Sequence, residues 1–137
     1  MSDFNDEIMN NNNSSDDSED IVSFIRSPKH FGRMNNPTSA VCIKGPCGDE
    51  MEFYLVINDG IIEEVKFYTD GCISTIACGE VAARLAQGKS INEVLDISPG
   101  KVKQILKELP QTHSHCSILA VCTLHRAVAD FLLKNKF

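Results

Sequence analysis

From Phe53 to Thr69 the chain runs in two stretches of alternating apolar and polar residues, separated by Asn58-Asp59-Gly60. In the first, Phe53, Leu55 and Ile57 alternate with Tyr54 and Val56. In the second, Ile62, Val65 and Phe67 are set against Glu63, Glu64 and Lys66. A period of two puts one face of a strand into a core, and an Asp-Gly pair supplies the positive-φ positions of a tight hairpin. Residues 39–44 (Ser-Ala-Val-Cys-Ile-Lys) suit a strand ahead of the pair, joined to it by the turn Gly45-Pro46-Cys47-Gly48-Asp49. Such a β-meander of about three antiparallel strands has an apolar face that the rest of the chain must cover.

The cover is helical. Ile21, Val22, Phe24 and Ile25 fit a short amphipathic helix with Asp20 as N-cap, stopped by Pro28; residues 29–37 read as loop. After Gly71 the period changes, and Ile73, Ile76, Ala77, Val81 and Leu85 mark a helix ending near Gly88. Ser90-Ile91-Asn92-Glu93 is a capping box, and Ser98-Pro99 opens a further helix with Val102, Ile105, Leu106 and Leu109 as its stripe. Pro110 stops it. A last helix runs from about Ser114 to Asn135, with Ile118, Val121, Leu124, Val128, Phe131 and Leu132 facing inward. The expected class is α+β: a small antiparallel β-sheet of about three strands with helices packed on one face.

Residues 1–20 hold seven of the 19 acidic residues and no Lys or Arg, and are rich in Asn and Ser. They are expected to form a disordered acidic tail ahead of one domain, residues 21–137. The rest balances 13 basic against 12 acidic residues, so no basic patch argues for nucleic acid. No run of about 18 apolar residues stands out, so no membrane span is expected. The N-terminus lacks the apolar core of a secretory signal, which points to the cytoplasm. In that reducing setting the six cysteines are not expected to form disulfides and serve metals, catalysis or packing.

Three of them stand at special places. Cys47 sits in a Gly-flanked turn with Asp49 two residues on. Cys72 follows Gly71 where a strand gives way to a helix. Cys116 follows His115 at the start of the last helix. A thiol at a helix N-terminus is favoured as thiolate, the form that binds metal. These residues are therefore read as one convergent site. Cys78 and Cys122 lie six residues further along their helices, turned about 240° from Cys72 and Cys116, and are read with Cys42 as buried small hydrophobes. His30 and His125 are read as surface or packing residues. His115 adjoins a ligand and is the stronger candidate for binding metal or handling a proton; His113 is the weaker.

The spacing also excludes. There is no Cys-x-x-Cys, which disfavours zinc ribbons and thioredoxin-type redox motifs, and no glycine-rich phosphate loop. Three thiols with an oxygen in the fourth place make a weaker set for soft iron–sulfur chemistry than four thiolates, so the site should bind and release.

Those residues carry a resemblance. Pro46-Cys47-Gly48-Asp49, Gly71-Cys72, Gly88-Lys89-Ser90 and His115-Cys116-Ser117, with Asn36-Pro37 and residues 24–31, resemble the IscU/NifU N-terminal iron–sulfur scaffold family over roughly residues 21–133. The resemblance implies an IscU-like fold and a non-enzymatic scaffold for a transient 2Fe–2S cluster held by Cys47, Asp49, Cys72 and Cys116, with His115 adjacent. It implies iron as substrate, zinc as an alternative occupant, and two kinds of partner: a cysteine desulfurase supplying persulfide sulfur and apo iron–sulfur acceptor proteins. The interval from Cys72 to Cys116 lacks the insertion of the zinc-dependent sulfur-acceptor branch. Two departures stand out. Leu109-Pro110-Gln111-Thr112-His113 replaces the family's Leu-Pro-Pro-Val-Lys, which makes an Hsp70-type chaperone a doubtful partner, and Cys78 stands where a small residue is usual. A monomer and a homodimer bridging a cluster both stay open. The alternatives are a zinc-bearing sulfur acceptor for a desulfurase and a thiol redox-regulated binding module.

Overall fold

A computed structural model of the chain describes residues 21–107 and 109–134; the expected acidic tail, residues 1–20, lies outside them. The order of elements is α1 (Ile21–Arg26), β1 (Ser39–Lys44), β2 (Glu50–Asn58), β3 (Ile61–Thr69), α2 (Ile73–Ala86), α3 (Ile91–Leu95), α4 (Pro99–Ile105), a 3-10 turn (Gln111–His113) and α5 (Ser114–Lys134). The strands form one antiparallel sheet in the order β1-β2-β3, with Val41 opposite Phe53 and Phe53 opposite Phe67.

Local chemistry explains most of these boundaries. Asp59 and Gly60 both take positive φ (54° and 73°), the geometry of a two-residue hairpin matched to strand twist. Ser90 and Glu93 form the expected capping box, Glu93 N donating to Ser90 Oγ and Ser90 N to Glu93 Oε1. Ser98 caps α4 with Pro99 in its first turn. The Glu63-Glu64 doublet is not plain alternation. Val56 pairs with Glu64 and Ile57 with Ile62, so β3 carries a bulge there, which restores Ile62, Val65 and Phe67 to one face.

That face is the core. Met51, Phe53, Leu55, Ile62, Val65 and Phe67 are buried under α2 and α5, and each such large side chain contributes about 1.5–3 kcal/mol. The opposite face carries Arg33, bonded bidentately to Glu52 and lying 4.0 Å over the Tyr68 ring. The outer edge of β3 is also covered. Residues 30–32 pair with Phe67 through Phe67 N to His30 O and Gly32 N to Phe67 O, and the α2–α3 link binds Ile62 from the other end.

Three expectations about the helices need correction. Ile118 (51% exposed) and Leu132 (45%) point outward from α5, as does Ile73 (58%) from α2. Val121, Leu124 and Val128 of α5 face inward as expected, and beside them small residues, including Ser117, Ala120, Thr123 and Ala127, let it lie close to the sheet; Ser39 Oγ donates to Ala127 O across that contact. By length and composition alone, the stretch Gln111–Lys134 is apolar enough to cross a membrane. Half of its most apolar window is buried inside the domain, as in the core helix of a globular protein.

The sequence did not foreshadow Glu80, a carboxylate with no exposed surface on α2. It accepts bonds from His30 N, His30 Nδ1 and Arg84 Nε at 3.0, 2.9 and 2.7 Å, and Arg84 lies 4.6 Å over the Phe24 ring. The network ties α1 and the following loop to α2. Burial pushes the Glu80 pKa up, but the hydrogen bonds from His30 and Arg84 outweigh it and hold the carboxyl below its ordinary value. A carboxyl depressed in this way stabilises the fold above the unfolded-state pKa of about 4.3, and that contribution is lost as pH falls through the folded-state value. Glu80→Gln should therefore lower stability by about 2–3 kcal/mol at pH 7, with the gap to wild type closing as the pH drops below about 4. Urea midpoints at the two pH values would show it; an equal gap at both would not fit a charged Glu80.

Candidate metal centre

The expected site residues sit at one end of the sheet. Residues 45–49 form a closed turn between β1 and β2, with Gly45 N donating to Asp49 O at 2.7 Å and Gly48 at φ 98°. Cys47 is exposed at its tip; Asp49 is half-buried at its exit. Cys72 is the exposed N-cap of α2. Cys116 lies in the first turn of α5 and is 1% exposed.

The residue that connects them is Thr75, which sequence reasoning missed. It is fully buried one turn into α2. Its hydroxyl donates to Asp49 Oδ2 at 2.8 Å and lies 3.5 Å from Cys72 Sγ and 3.4 Å from Cys116 Sγ. The signal was available: Thr75 is three residues after Cys72 and so shares its helix face. Gly71 makes room for the carboxylate, since a Cβ there would lie 2.6 Å from Asp49 Oδ2.

Among the described residues, Cys72, His113 and Cys116 bring ligand atoms close enough to share one ion, all within 4.8 Å of one another. Cys47 and Asp49 stand beside this group rather than in it. His115, favoured from sequence, places Nε2 at 3.8 Å from Cys116 Sγ and stacks on His113 with ring centroids 6.0 Å apart. Of the cysteines read as core, Cys78 is buried behind the site, and burial pushes its thiol pKa far up. Cys42 and Cys122 are exposed, contrary to expectation. Cys42 falls on the outward side of the β1 alternation, 3.9 Å from Glu50 Oε1, and Cys122 on the outer side of α5 near Ile118. His30 and His125 are packing residues, paired with Glu80 and with Val94 O.

The two neighbouring thiols are electrostatically unlike. Burial pushes Cys72 up, but hydrogen bonds from the Thr75 hydroxyl and the amides of Thr75 and Ser74 outweigh it, so its pKa is lowered. Burial pushes Cys116 up to about 11, with a further rise from the negative charge of Cys72. The arrangement pairs a thiolate-prone sulfur at the surface with a protonated one beneath it. Two sulfurs, an imidazole and a carboxylate suit a borderline-soft divalent ion or an iron–sulfur unit.

The chain is similar to known proteins along most of its length. The family described as NifU-like N-terminal domain matches residues 16–137. The chain is 35% identical over 119 residues to iron–sulfur cluster assembly scaffold protein IscU 1 of Archaeoglobus fulgidus, covering 86% of this chain and 78% of that protein. It is 35% identical over 124 residues to the scaffold protein IscU of Escherichia coli, covering 87% and 96%. The crystal structure of the N-terminal part of a nitrogen-fixing NifU-like protein from Brucella abortus shares the fold at a TM-score of 0.71, with 15% identity over 83% of this chain and 92% of that one.

The thiol asymmetry predicts a reactivity order. At pH 7, limiting alkylation should label Cys72 well before Cys116 or Cys78, and Thr75→Val should slow labelling of Cys72 several-fold. Peptide mass mapping of a time course checks this; faster labelling of Cys116 would contradict the electrostatics.

Proposed function

The chain belongs to the NifU-like N-terminal domain family, and from that premise we propose that it is a scaffold on which a labile 2Fe–2S cluster is built, held by Cys47, Asp49, Cys72 and Cys116, and then passed on. The cluster is cargo rather than a resident cofactor. The observation that carries the reading is the convergence of Cys72, Cys116 and Asp49 on the single hydroxyl of Thr75, from three distant stretches of chain.

The residues divide the work. Cys72, biased toward thiolate and exposed, is suited to attack the outer sulfur of a persulfide on a cysteine desulfurase. The sulfane sulfur moves to Cys72 as the donor cysteine leaves as thiolate; an external electron donor then reduces it to sulfide. Cys116 gives up its proton as iron arrives, since only the thiolate ligates. Exposed Cys47, on its glycine-flanked turn, closes over the cargo. Asp49 is a hard oxygen donor among soft sulfurs, and so the point at which an acceptor's thiol enters. Apo iron–sulfur proteins are the acceptors. Six free thiols fit a reducing compartment such as the cytoplasm. The relatives are named as scaffolds, not enzymes, and nothing in this scheme requires turnover by the chain alone.

Anaerobic reconstitution with ferrous iron, cysteine and a cysteine desulfurase tests the proposal. Wild type should develop the visible absorption of a 2Fe–2S cluster and lose it to apo-ferredoxin. Cys72→Ser should fail to hold the cluster, Cys122→Ser should behave as wild type, and Asp49→Ala should transfer several-fold more slowly. A colourless protein that keeps zinc throughout would favour the zinc-bearing sulfur acceptor instead.

A further inference from the structure

Cys72 and Cys116 stand close enough to bond to each other. Their sulfurs lie within 4.8 Å of one another, and the Thr75 hydroxyl touches both, at 3.5 and 3.4 Å. A disulfide holds its sulfurs about 2.05 Å apart, so the pair must close by no more than about 2.8 Å. Moving one cysteine between staggered rotamers shifts its sulfur by about 3 Å. No capping bond opposes that move at Cys72, although it is the N-cap of α2.

The two thiols also differ in access. Cys72 is exposed, whereas Cys116 is 1% exposed beneath it. An oxidant arriving from solvent meets Cys72 first, where hydrogen bonds from Thr75 and Ser74 favour the reactive thiolate. A sulfenic acid formed there has a second thiol within reach on its buried side. Condensation with a neighbouring thiol is what diverts a sulfenic acid from irreversible oxidation. Cys42 is exposed too, but Glu50 Oε1 lies 3.9 Å from its sulfur, and burial and that carboxylate push its thiol pKa up.

We propose that Cys72 and Cys116 form a peroxide-responsive pair: Cys72 is the sulfur oxidised by a hydroperoxide, Cys116 resolves it, and the disulfide joins the starts of α2 and α5 and closes the site to cargo. The Cys72 sulfur attacks the peroxide, the O–O bond breaks and hydroxide leaves, giving a sulfenic acid on Cys72. The Cys116 sulfur then displaces the sulfenic hydroxide as its own proton passes to it, so that an S–S bond forms and water departs. In sum, two thiols and one hydrogen peroxide give one disulfide and two waters. A dithiol reductant reverses the bond. Formation of the disulfide requires nothing of the cluster reading; its closing of the site rests on both sulfurs being the metal thiolates assigned above.

The test uses the full chain, reduced, stripped of metal with a chelator and then given a few equivalents of hydrogen peroxide. Peptide mapping without reductant should find Cys72 joined to Cys116 as the main product, formed several-fold faster than any oxidation of Cys42 or Cys122 and reversed by dithiothreitol. In Cys116→Ser, a dimedone adduct should accumulate on Cys72 several-fold above its level in wild type. Oxidised wild type should no longer compete with a chromophoric chelator for zinc, and dithiothreitol should restore the competition. A wild type whose Cys72 takes dimedone without cross-linking, or which joins other cysteines first, overturns the pair. The Cys72–Cys116 bond with zinc binding unchanged overturns the closing of the site. If the reduced chain builds no cluster yet still forms this bond, the pair stands and the scaffold reading alone falls.

Discussion

Gly79 on α2 faces the ring of Phe67 on β3 with no side chain between them; a single added methyl would lie 2.5 Å from the ring. That approach sets how deep the helix lies against the sheet, and so where its first turn emerges. Cys72 and Thr75 stand at that turn, level with the exit of the β1–β2 turn where Asp49 lies. Gly71 repeats the device at the mouth of the helix, leaving space for the Asp49 carboxylate. Glu80, one residue beyond Gly79, secures the same helix from its other side through His30 and Arg84. The site thus depends on how this helix is seated beside the β1–β2 turn and α5.

Within the site, Thr75 has one hydroxyl proton and three neighbours that can take it. Donated to Asp49, as here, it leaves the hydroxyl oxygen free to accept from the protonated Cys116. Turned toward Cys72, it joins the amides of Thr75 and Ser74 at the start of α2 in favouring the thiolate. A buried hydroxyl can rotate at little cost, so the same side chain suits the differing charge states of its neighbours.

Much of the fold could be read from the chain because its signals are local. Asp59-Gly60, the Ser90–Glu93 capping box and Ser98-Pro99 each act within a few residues and appear where expected. The bulge at Glu63 was not legible, because two adjacent glutamates look like imperfect alternation until the partner strand is known. The cysteine assignments divide the same way. Cys72 and Cys116 were legible from their helix entries, but the exposure of Cys42 and Cys122 depends on which face each element turns inward, and α5 turns in its small residues rather than Ile118. Thr75 and Glu80 escaped because their partners are distant in sequence: Asp49 and Cys116 for one, His30 for the other. His115 outranked His113 on adjacency to Cys116, whereas the 3-10 turn carries His113 across to both sulfurs.

The sulfurs and the carboxylate come from a hairpin-like turn, a helix cap and the final helix, and these touch only in the finished domain. An ion gripped by all three works as a reversible cross-link. It draws together segments that an unfolded chain would keep apart, and its binding energy is added to that of folding. Binding at such a place is therefore coupled to the folding of the whole domain rather than of one loop.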